Sequence, residues 1–396
     1  MSGAVLFYVQ HLLGIGHTRR ALRLVAAMAG EGLAVTLVSG GEPLAETGEC
    51  GAARVVQLPP VHARDASFAL VDGAGEPVGE AVWRARQAML LEAVARARPD
   101  AVVFETYPFG RHKFWPEIDA LLAWARAQRP QARLIASVRD IVIVGNKPQR
   151  RREIVERACA LDAVLVHGDP AFIPLDASFP EAAELGGRLR YTGYVGDDTG
   201  DADAADGRGE VLVSAGGGAV GGRLLRAAIE ARRLGCLADA AWRILAGPNL
   251  PEREFADLAA DLPNGVILER YRRDFPARLR HCRVSVSQAG YNTTLDILAA
   301  GAPAVVVPFS GAAETEQSLR AERLAAVGAW ETIAETELSP TALARAIERA
   351  AARSPRAAPI DTGGAARTAH IVAAMIAASR PVREFALTDR RGIIAR

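Results

Sequence analysis

Residues 285–317, SVSQAGYNTTLDILAAGAPAVVVPFSGAAETEQ, constrain the fold more than any other stretch of the chain. A short apolar run at 284–286 is broken by Gln288, Ala289 and Gly290. Asn292 and Thr293 then read as N-cap candidates for a helix running to Ala300, because their side-chain oxygens can accept from the first free amides. Gly301 closes that helix, since glycine enters the left-handed cap without a steric penalty. Residues 304–307 are a second apolar run, stopped by Pro308. Strand, tight loop, helix and strand in this order form a parallel βαβ unit. The unit has chemical content too. Free amides at a helix start make an anion site. Asp296 lies one turn in from Asn292 on nearly the same face, and Glu314, Glu316 and Gln317 follow the next strand end. Amides for a diphosphate, a carboxylate for ribose hydroxyls and an acid–amide pair for sugar hydroxyls would together hold a nucleotide-sugar.

The same alternation runs through the whole chain, twice over. Residues 4–9 read as a buried parallel strand, followed by a loop at 10–17 containing Gly14 and Gly16. A helix from Thr18 carries Ala21, Leu22, Leu24, Val25 and Met28 on its apolar side, and 33–38 is the next strand. This opening is no dinucleotide fingerprint: Arg19 occupies the third glycine position, and the second strand ends at Ser39 and Gly40 instead of an acid. No GxxxxGK[ST] occurs, which excludes a P-loop. Strands follow at 54–58, 101–105, 134–138, 163–166 and 190–192, with helices at 79–98, 114–128 and 148–160 and an exposed loop at 62–77. The pattern restarts with strands at 210–214, 241–246 and 266–268 and helices at 223–235, 252–261 and 274–281, and it closes on helices at 339–353 and 363–379. The expected fold class is α/β, with two Rossmann-like domains facing a cleft. The expected limits are 1–196 for the first domain, 197–209 for a linker of Asp, Gly and Ala, 210–380 for the second domain and 381–396 for a basic tail.

Composition narrows the partners. The 396 residues suit two domains better than one. A net charge of +1 gives no general attraction to nucleic acid, and no apolar run reaches membrane-spanning length. Among 47 basic residues only Lys113 and Lys147 are lysine, a compositional bias that discounts arginine clusters as signals. Cys50, Cys159, Cys236 and Cys282 show no CxxC spacing, so a reducing compartment is expected and a structural zinc is not. The first residues run directly into a strand, which predicts no signal peptide and a cytoplasmic location. Asp201-Ala202-Asp203 is a literal DxD, but it falls in the linker, where a rigid metal site is not expected; no metal and no cofactor are predicted.

Other candidates stand beside blander readings. The turn after residue 214, SAGGGAVGG, offers Ser214 and the amides of Gly216, Gly217 and Gly218 to phosphate oxygens, where an ordinary βα turn needs fewer glycines. Asp296, Glu314 and Glu316 could each merely complement a helix dipole. His17 precedes a helix, whose partial positive charge keeps an imidazole neutral and able to take a proton; it could equally satisfy a loop. Glu105, Arg111, His112 and Asp140 follow first-domain strands, where ligands bind open α/β sheets, and would shape an acceptor pocket or sit as solvated loop residues. Arg270 or Arg272 could border a nucleotide pocket, against a default of solvated faces.

QAGYNTTLD at 288–296 and ETEQ at 314–317 resemble the donor-site signature of the peptidoglycan N-acetylglucosaminyltransferase family and its relatives, which have the two-Rossmann GT-B fold. The resemblance implies that Asp296 binds the ribose and that the pair after the Pro-Phe strand end binds the donor sugar. The family has two glutamines there; this chain has Glu316-Gln317, so only Gln317 matches. It also implies that Gly16 and His17 face the interdomain cleft, where His17 would serve as base or contact the donor, and that the last helix crosses back to the first domain. The expected activity is an inverting, metal-independent transfer from a UDP-sugar, an N-acetylhexosamine donor, to an acceptor. Whether the acceptor is a glycan, lipid-linked or a small molecule stays open, and with it peripheral contact with a membrane. The alternatives are a nucleotide-sugar hydrolase on the same fold and a non-catalytic nucleotide-sugar binding protein.

Overall fold

The computed structural model describes residues 3–12, 16–43, 51–64, 68–145, 147–196, 207–216, 221–310, 316–326, 330–353 and 360–379. Residues 197–206 of the expected 197–209 linker, with Asp201 and Asp203, and the tail from 380 lie outside the described residues, as do Gly14, Cys50, Gly217, Gly218 and Glu314.

In the first half, β1 (Ala4–Val9) leads into α1 (Gly16–Gly30), β2 (Ala34–Ser39) and β3 (Arg54–Gln57). A hairpin of β4 (Val61–Ala63) and β5 (Leu70–Asp72) follows, then α2 (Glu80–Ala97), β6 (Ala101–Glu105), α3 (Trp115–Gln128), β7 (Arg133–Arg139), α4 (Pro148–Cys159), β8 (Ala163–His167) and β9 (Leu189–Tyr191). Seven parallel strands order as β3-β2-β1-β6-β7-β8-β9. The hairpin falls where the sequence predicted an exposed loop; its antiparallel pairing of His62 with Val71 brings Val61 into a small apolar cluster with Leu12 and Phe114.

The second half runs β10 (Val211–Ser214), α5 (Gly222–Arg233), β11 (Trp242–Leu245), α6 (Glu252–Ala259), β12 (Val266–Glu269), α7 (Phe275–Leu279), β13 (Val284–Ser287), α8 (Tyr291–Ala300), β14 (Ala304–Val306), α9 (Glu316–Ala326), β15 (Glu331–Thr332), α10 (Pro340–Ala351) and α11 (Gly364–Ser379). Six parallel strands order as β12-β11-β10-β13-β14-β15. Each sheet thus reverses its strand order once, between β1 and β6 and between β10 and β13, and ligands of open α/β sheets bind at such reversals. The central strands are buried along their length, as helices on both faces require: Val5, Leu6, Phe7 and Val9 are inaccessible, as are Val211, Leu212 and Val213.

Local signals set the helix ends. Ser339 accepts from the Ala342 amide at 3.2 Å, and Pro340 supplies the first position of α10. Gly301 closes α8 at φ 65°. The start of α8 departs from expectation: Gly290 is its cap and Tyr291 its first residue, so Asn292 and Thr293 lie inside the first turn.

The chain crosses between the sheets twice. After β9 it leaves the first sheet, and after α10 it returns, where Ala369, Val372 and Ile376 of α11 pack into the core that holds Leu24, Val25 and Met28 of α1. The two crossings pair with each other: Val195 and Gly363 form an antiparallel bridge, the Tyr194 amide donates to Asp361 O at 2.7 Å and the Gly364 amide donates to Tyr194 O at 3.0 Å. Only glycine fits at 364, because a β-carbon there would lie 2.3 Å from the Gly193 carbonyl oxygen.

One buried network frames the mouth of the first sheet. Arg86 is fully buried and places all five of its N–H donors. Nε and Nη2 donate to the two oxygens of Glu117 at 3.0 and 2.8 Å, Nη1 to Gly40 O and Pro59 O at 2.7 Å each, and Nη2 also to Gln10 Oε1 at 2.8 Å. Tyr8 OH donates to Glu117 as well. The network ties the loops after β1, β2 and β3 together. Arg86→Met should therefore cost about 3–5 kcal/mol, because it leaves the Glu117 charge buried without its partner. Urea denaturation checks it, and a loss under about 1 kcal/mol would mean that the site relaxes or hydrates.

Candidate functional site

The loops at the two strand-order reversals meet across the cleft. Gly16, at the start of α1, packs so closely on the start of α8 that a β-carbon at 16 would lie 3.1 Å from Asn292 Nδ2. From the second sheet, the turn after β10 reaches the same helix start: Gly216, at φ +71°, lies with its β-carbon position 4.0 Å from Thr293 Oγ1. Its amide is tied to Ser214 Oγ at 3.2 Å. Gly16, Gly216, Gly290, Asn292 and Thr293 are thus brought together, and Asn292 Oδ1 and Thr294 Oγ1 are buried polar atoms with no hydrogen-bond partner. The free amides of a helix N-terminus beside two close glycines make a candidate cradle for an anion. Asp296 is half-buried one turn on, while Gln288 and Ala289 are buried in the loop, the Ala289 carbonyl accepting from Arg320 at 2.8 Å.

His17 follows Gly16 in the first turn of α1. Its Nδ1 lies 3.1 Å from Glu105 Oε1, 3.2 Å from Thr106 Oγ1 and 3.3 Å from Arg20 Nη2. Glu105 is fully engaged: Arg20 donates to Oε1 and Ser137 Oγ donates to Oε2 at 2.6 Å. Burial alone would raise the Glu105 carboxyl, but Arg20 and His17 outweigh it and hold it well below the usual carboxylate range. An ionised carboxylate at Nδ1 puts the imidazole proton there and leaves Nε2 as a proton acceptor. The His17 pKa is lowered to about 3, mainly by burial, with Arg111, Arg139 and Arg20 adding to it against the Glu105 hydrogen bond.

Behind Glu105 the hydrogen bonds continue inward. With Ser137 donating to the carboxylate, its oxygen accepts from His167 Nε2 at 2.9 Å, and His167 Nδ1 meets Thr192 Oγ1 at 2.9 Å. Thr106, next to Glu105, is held at φ 71°, and Arg111 at φ 57°. Left-handed residues that are not glycine store strain, and they cluster at functional sites. Arg111 donates through Nε to Gln10 O at 3.0 Å, and burial, with Arg139 nearby, lowers its pKa to about 10. The other first-domain candidates lie elsewhere: His112 packs edge-on against Trp115, and Asp140 is inaccessible.

Asp140 belongs to an ion cluster across the cleft. Arg139 of the first sheet holds Glu316 at 2.7 Å, Arg320 holds Glu316 at 2.9 Å, and Arg320 also holds Asp140 at 3.0 Å. Burial alone would raise the Glu316 carboxyl, but the two guanidiniums keep it below its ordinary value. Glu316 is therefore committed to arginines, whereas Gln317, beside it, accepts from the Phe309 amide at 3.0 Å. Beyond β12 a cavity of about 410 Å³ is lined by Glu269, Tyr271, Arg272, Arg273 and Asp274. It borders α1, where Arg19 donates to Tyr271 OH at 3.0 Å. Arg272 there is paired with Asp274 at 2.7 Å, and Arg270 with Glu252 on the surface. Among the described residues no group of three or more His, Cys, Asp or Glu is arranged to hold a metal.

Sequence reasoning missed Arg20, Ser137, His167, Arg139 and Arg320. The only available signal was polar residues at strand ends, as in Ser137 and His167.

Comparison with known proteins follows this geometry. Residues 212–372 match the glycosyltransferase family 28 C-terminal domain. A UDP-N-acetylglucosamine--N-acetylmuramyl-(pentapeptide) pyrophosphoryl-undecaprenol N-acetylglucosamine transferase of Brucella anthropi is 35% identical over 119 residues, 28% of this chain and 32% of the relative. The Brucella canis enzyme of the same name is 32% identical over 119 residues, 31% of its length. The match thus spans about a third of these curated relatives. Among solved structures, the calicheamicin glycosyltransferase CalG4 superposes with a TM-score of 0.60 at 20% identity, covering 96% of this chain and 95% of that one. Acinetobacter baumannii MurG superposes at 0.54 with 16% identity, covering 94% and 99%. The fold is GT-B, and residues 212–372 form a glycosyltransferase family 28 C-terminal domain.

Proposed function

We propose that the protein transfers a sugar from a UDP-sugar to an acceptor hydroxyl, with inversion and without a metal. The observation that carries this reading is the meeting of the two loops: an anion cradle at the start of α8 stands against Gly16, next to a histidine whose free nitrogen is available as a base. The relatives' names contain UDP-N-acetylglucosamine, which supports an N-acetylhexosamine donor; the acceptor in those names is not carried over. In the proposed step the acceptor oxygen attacks C1 from the face opposite the diphosphate. The new O–C1 bond forms as the C1–O bond to phosphate breaks, UDP leaves with that electron pair, and the acceptor proton passes to His17 Nε2. The amides of the α8 start, with the Gly216–Gly218 turn, stabilise the charge growing on UDP, which is the task a metal would otherwise have. Gln317 supports recognition of the sugar and Asp296 of the ribose. The Arg111 side of the cleft remains for the acceptor.

Pure protein mixed with UDP-N-acetylglucosamine, with and without cell extract, tests the reading. UDP release that needs extract and survives EDTA is the expected result. Release without extract would mark a hydrolase, binding without release a sensor, and loss in EDTA restored by Mg²⁺ would overturn metal independence. Asp296→Ala should weaken UDP by about 1–3 kcal/mol, the range for lost hydrogen bonds to a charged group. Unchanged UDP affinity by calorimetry would remove Asp296 from the site.

A further inference from the structure

Tyr291 opens α8, directly after the Gln-Ala-Gly loop, yet its hydroxyl and its ring reach residues of the other domain. It is 6% exposed. Its hydroxyl donates to the His167 carbonyl at 2.9 Å, at the end of β8. The Arg20 guanidinium sits 5.3 Å from its ring centroid, and the Arg320 guanidinium 5.6 Å from it. The ring also packs against Tyr194 at 5.9 Å, and Tyr194 OH donates to Asp140 at 3.2 Å.

Two of these contacts lead to one carboxylate. Through the ring, Tyr291 holds Arg20, which donates to Glu105 Oε1, the oxygen facing His17. Through the hydroxyl it pins His167, which reaches Glu105 Oε2 by way of Ser137. A buried ring beside a guanidinium fixes both, because a desolvated cation–π contact is far stronger than an exposed one. We propose that Tyr291 is a positioning residue that sets the His17–Glu105 pair in register with the start of α8, so that the base is aligned only when the donor-binding helix is docked. The proposal rests on the glycosyl-transfer reading for its kinetic consequence, but not for its effect on the imidazole.

The groups that face His17 define what that effect is. Glu105 and Thr106 approach it from the end of β6, Arg20 from α1, Arg111 from the following loop, Arg139 from β7 and Glu316 from α9. Removing the Tyr291 ring frees Arg20 to move off Glu105. The carboxylate then acts on the imidazole alone, and one nearby positive charge recedes, so the His17 titration should rise. Misplacing a catalytic group by about 1 Å can cost a hundredfold in rate.

The test uses the full chain with Tyr291→Leu and Tyr291→Phe, the second retaining the ring and its packing. UDP affinity is measured by calorimetry, kcat and KM by UDP release from UDP-N-acetylglucosamine with cell extract supplying the acceptor, and the His17 titration by NMR of histidine-labelled protein. Tyr291→Leu should lower kcat roughly ten- to a hundredfold and raise the His17 titration while UDP affinity stays within about threefold. Tyr291→Phe should lower kcat less and leave the titration near wild type. A Leu variant with wild-type kcat, or one that loses UDP affinity in proportion to kcat, overturns the proposal, as does an unmoved His17 titration in both variants. If the wild-type protein turns over no UDP-sugar even with cell extract, the transfer reading fails by itself, and the NMR titration still decides whether Tyr291 acts on His17.

Discussion

His17→Ala should lower the rate of the chemical step by roughly 10²–10⁴-fold, the contribution of a positioned general base. UDP affinity should hardly change, because the diphosphate cradle belongs to the second sheet. The pH dependence carries the sharper signature. A base works only when unprotonated, so the acidic limb of kcat/KM reports His17 in the free enzyme. Burial and the arginines around it put that limb well below the ordinary histidine value of 6.5, toward about 3. When the donor is bound, its diphosphate adds negative charge to the cleft and should move the limb of kcat upward, closer to the working pH, where a base is most effective. The expected result is an acidic limb that lies higher in kcat than in kcat/KM, and that His17→Ala abolishes in both. A variant with near-wild-type turnover across the series would end the case for His17.

The second large effect is on stability in acid. His11, His17 and His167 are all held neutral by burial, with pKa values lowered to about 4, 3 and 3. In the unfolded chain each takes a proton as pH falls through about 6.5, whereas the folded chain does not until far lower. The unfolded state therefore binds more protons below 6.5, and stability is full above that pH and falls as pH drops. With all three contributing, the loss should approach roughly 4 kcal/mol per pH unit between pH 6 and 4. Against a typical total of about 5–15 kcal/mol, a loss of this order measurably weakens the fold by pH 5. Urea denaturation at pH 7, 6 and 5 measures the slope, and His167→Gln should remove about a third of it. A flat profile from pH 7 to 5 would show that these histidines are solvated in solution.

Much of this arrangement was legible in the sequence, for a local reason. Buried parallel strands write themselves as continuous apolar runs, as in Val5–Val9 and Val211–Val213, and glycine closes helices where no other residue does, as at Gly301. The meeting of Gly216 with the start of α8 could be anticipated because both follow strand ends of one sheet. What stayed hidden depends on neighbours far apart in the chain. Glu105 and His167 end β6 and β8, Ser137 lies two residues before the end of β7 between them, and only the order β6-β7-β8 brings the three side by side. Arg20, Arg139 and Arg320 were lost in an arginine-rich background, although each is committed to a specific carboxylate. Glu316 reads locally as half of a sugar-binding pair, and nothing local announces Arg139 on the opposite wall. The hairpin of β4 and β5 was missed because three-residue strands among Pro, Gly and Asp show too little alternation to count.

The paired crossings set the mechanics of the cleft. Because Tyr194–Val195 and Asp361–Gly364 are bonded to each other, the two halves are joined at one seam by two antiparallel segments, like a door on a doubled strap. Such a seam permits rotation about an axis along it and resists both sliding and twisting. Opening the cleft to admit a donor then has essentially one degree of freedom, and each closure returns Arg139 to Glu316 and Gly16 to Asn292 in the same register. A protease cut between residues 197 and 206 should leave the halves travelling as one particle on gel filtration, since the second crossing and the α11 packing still bind them.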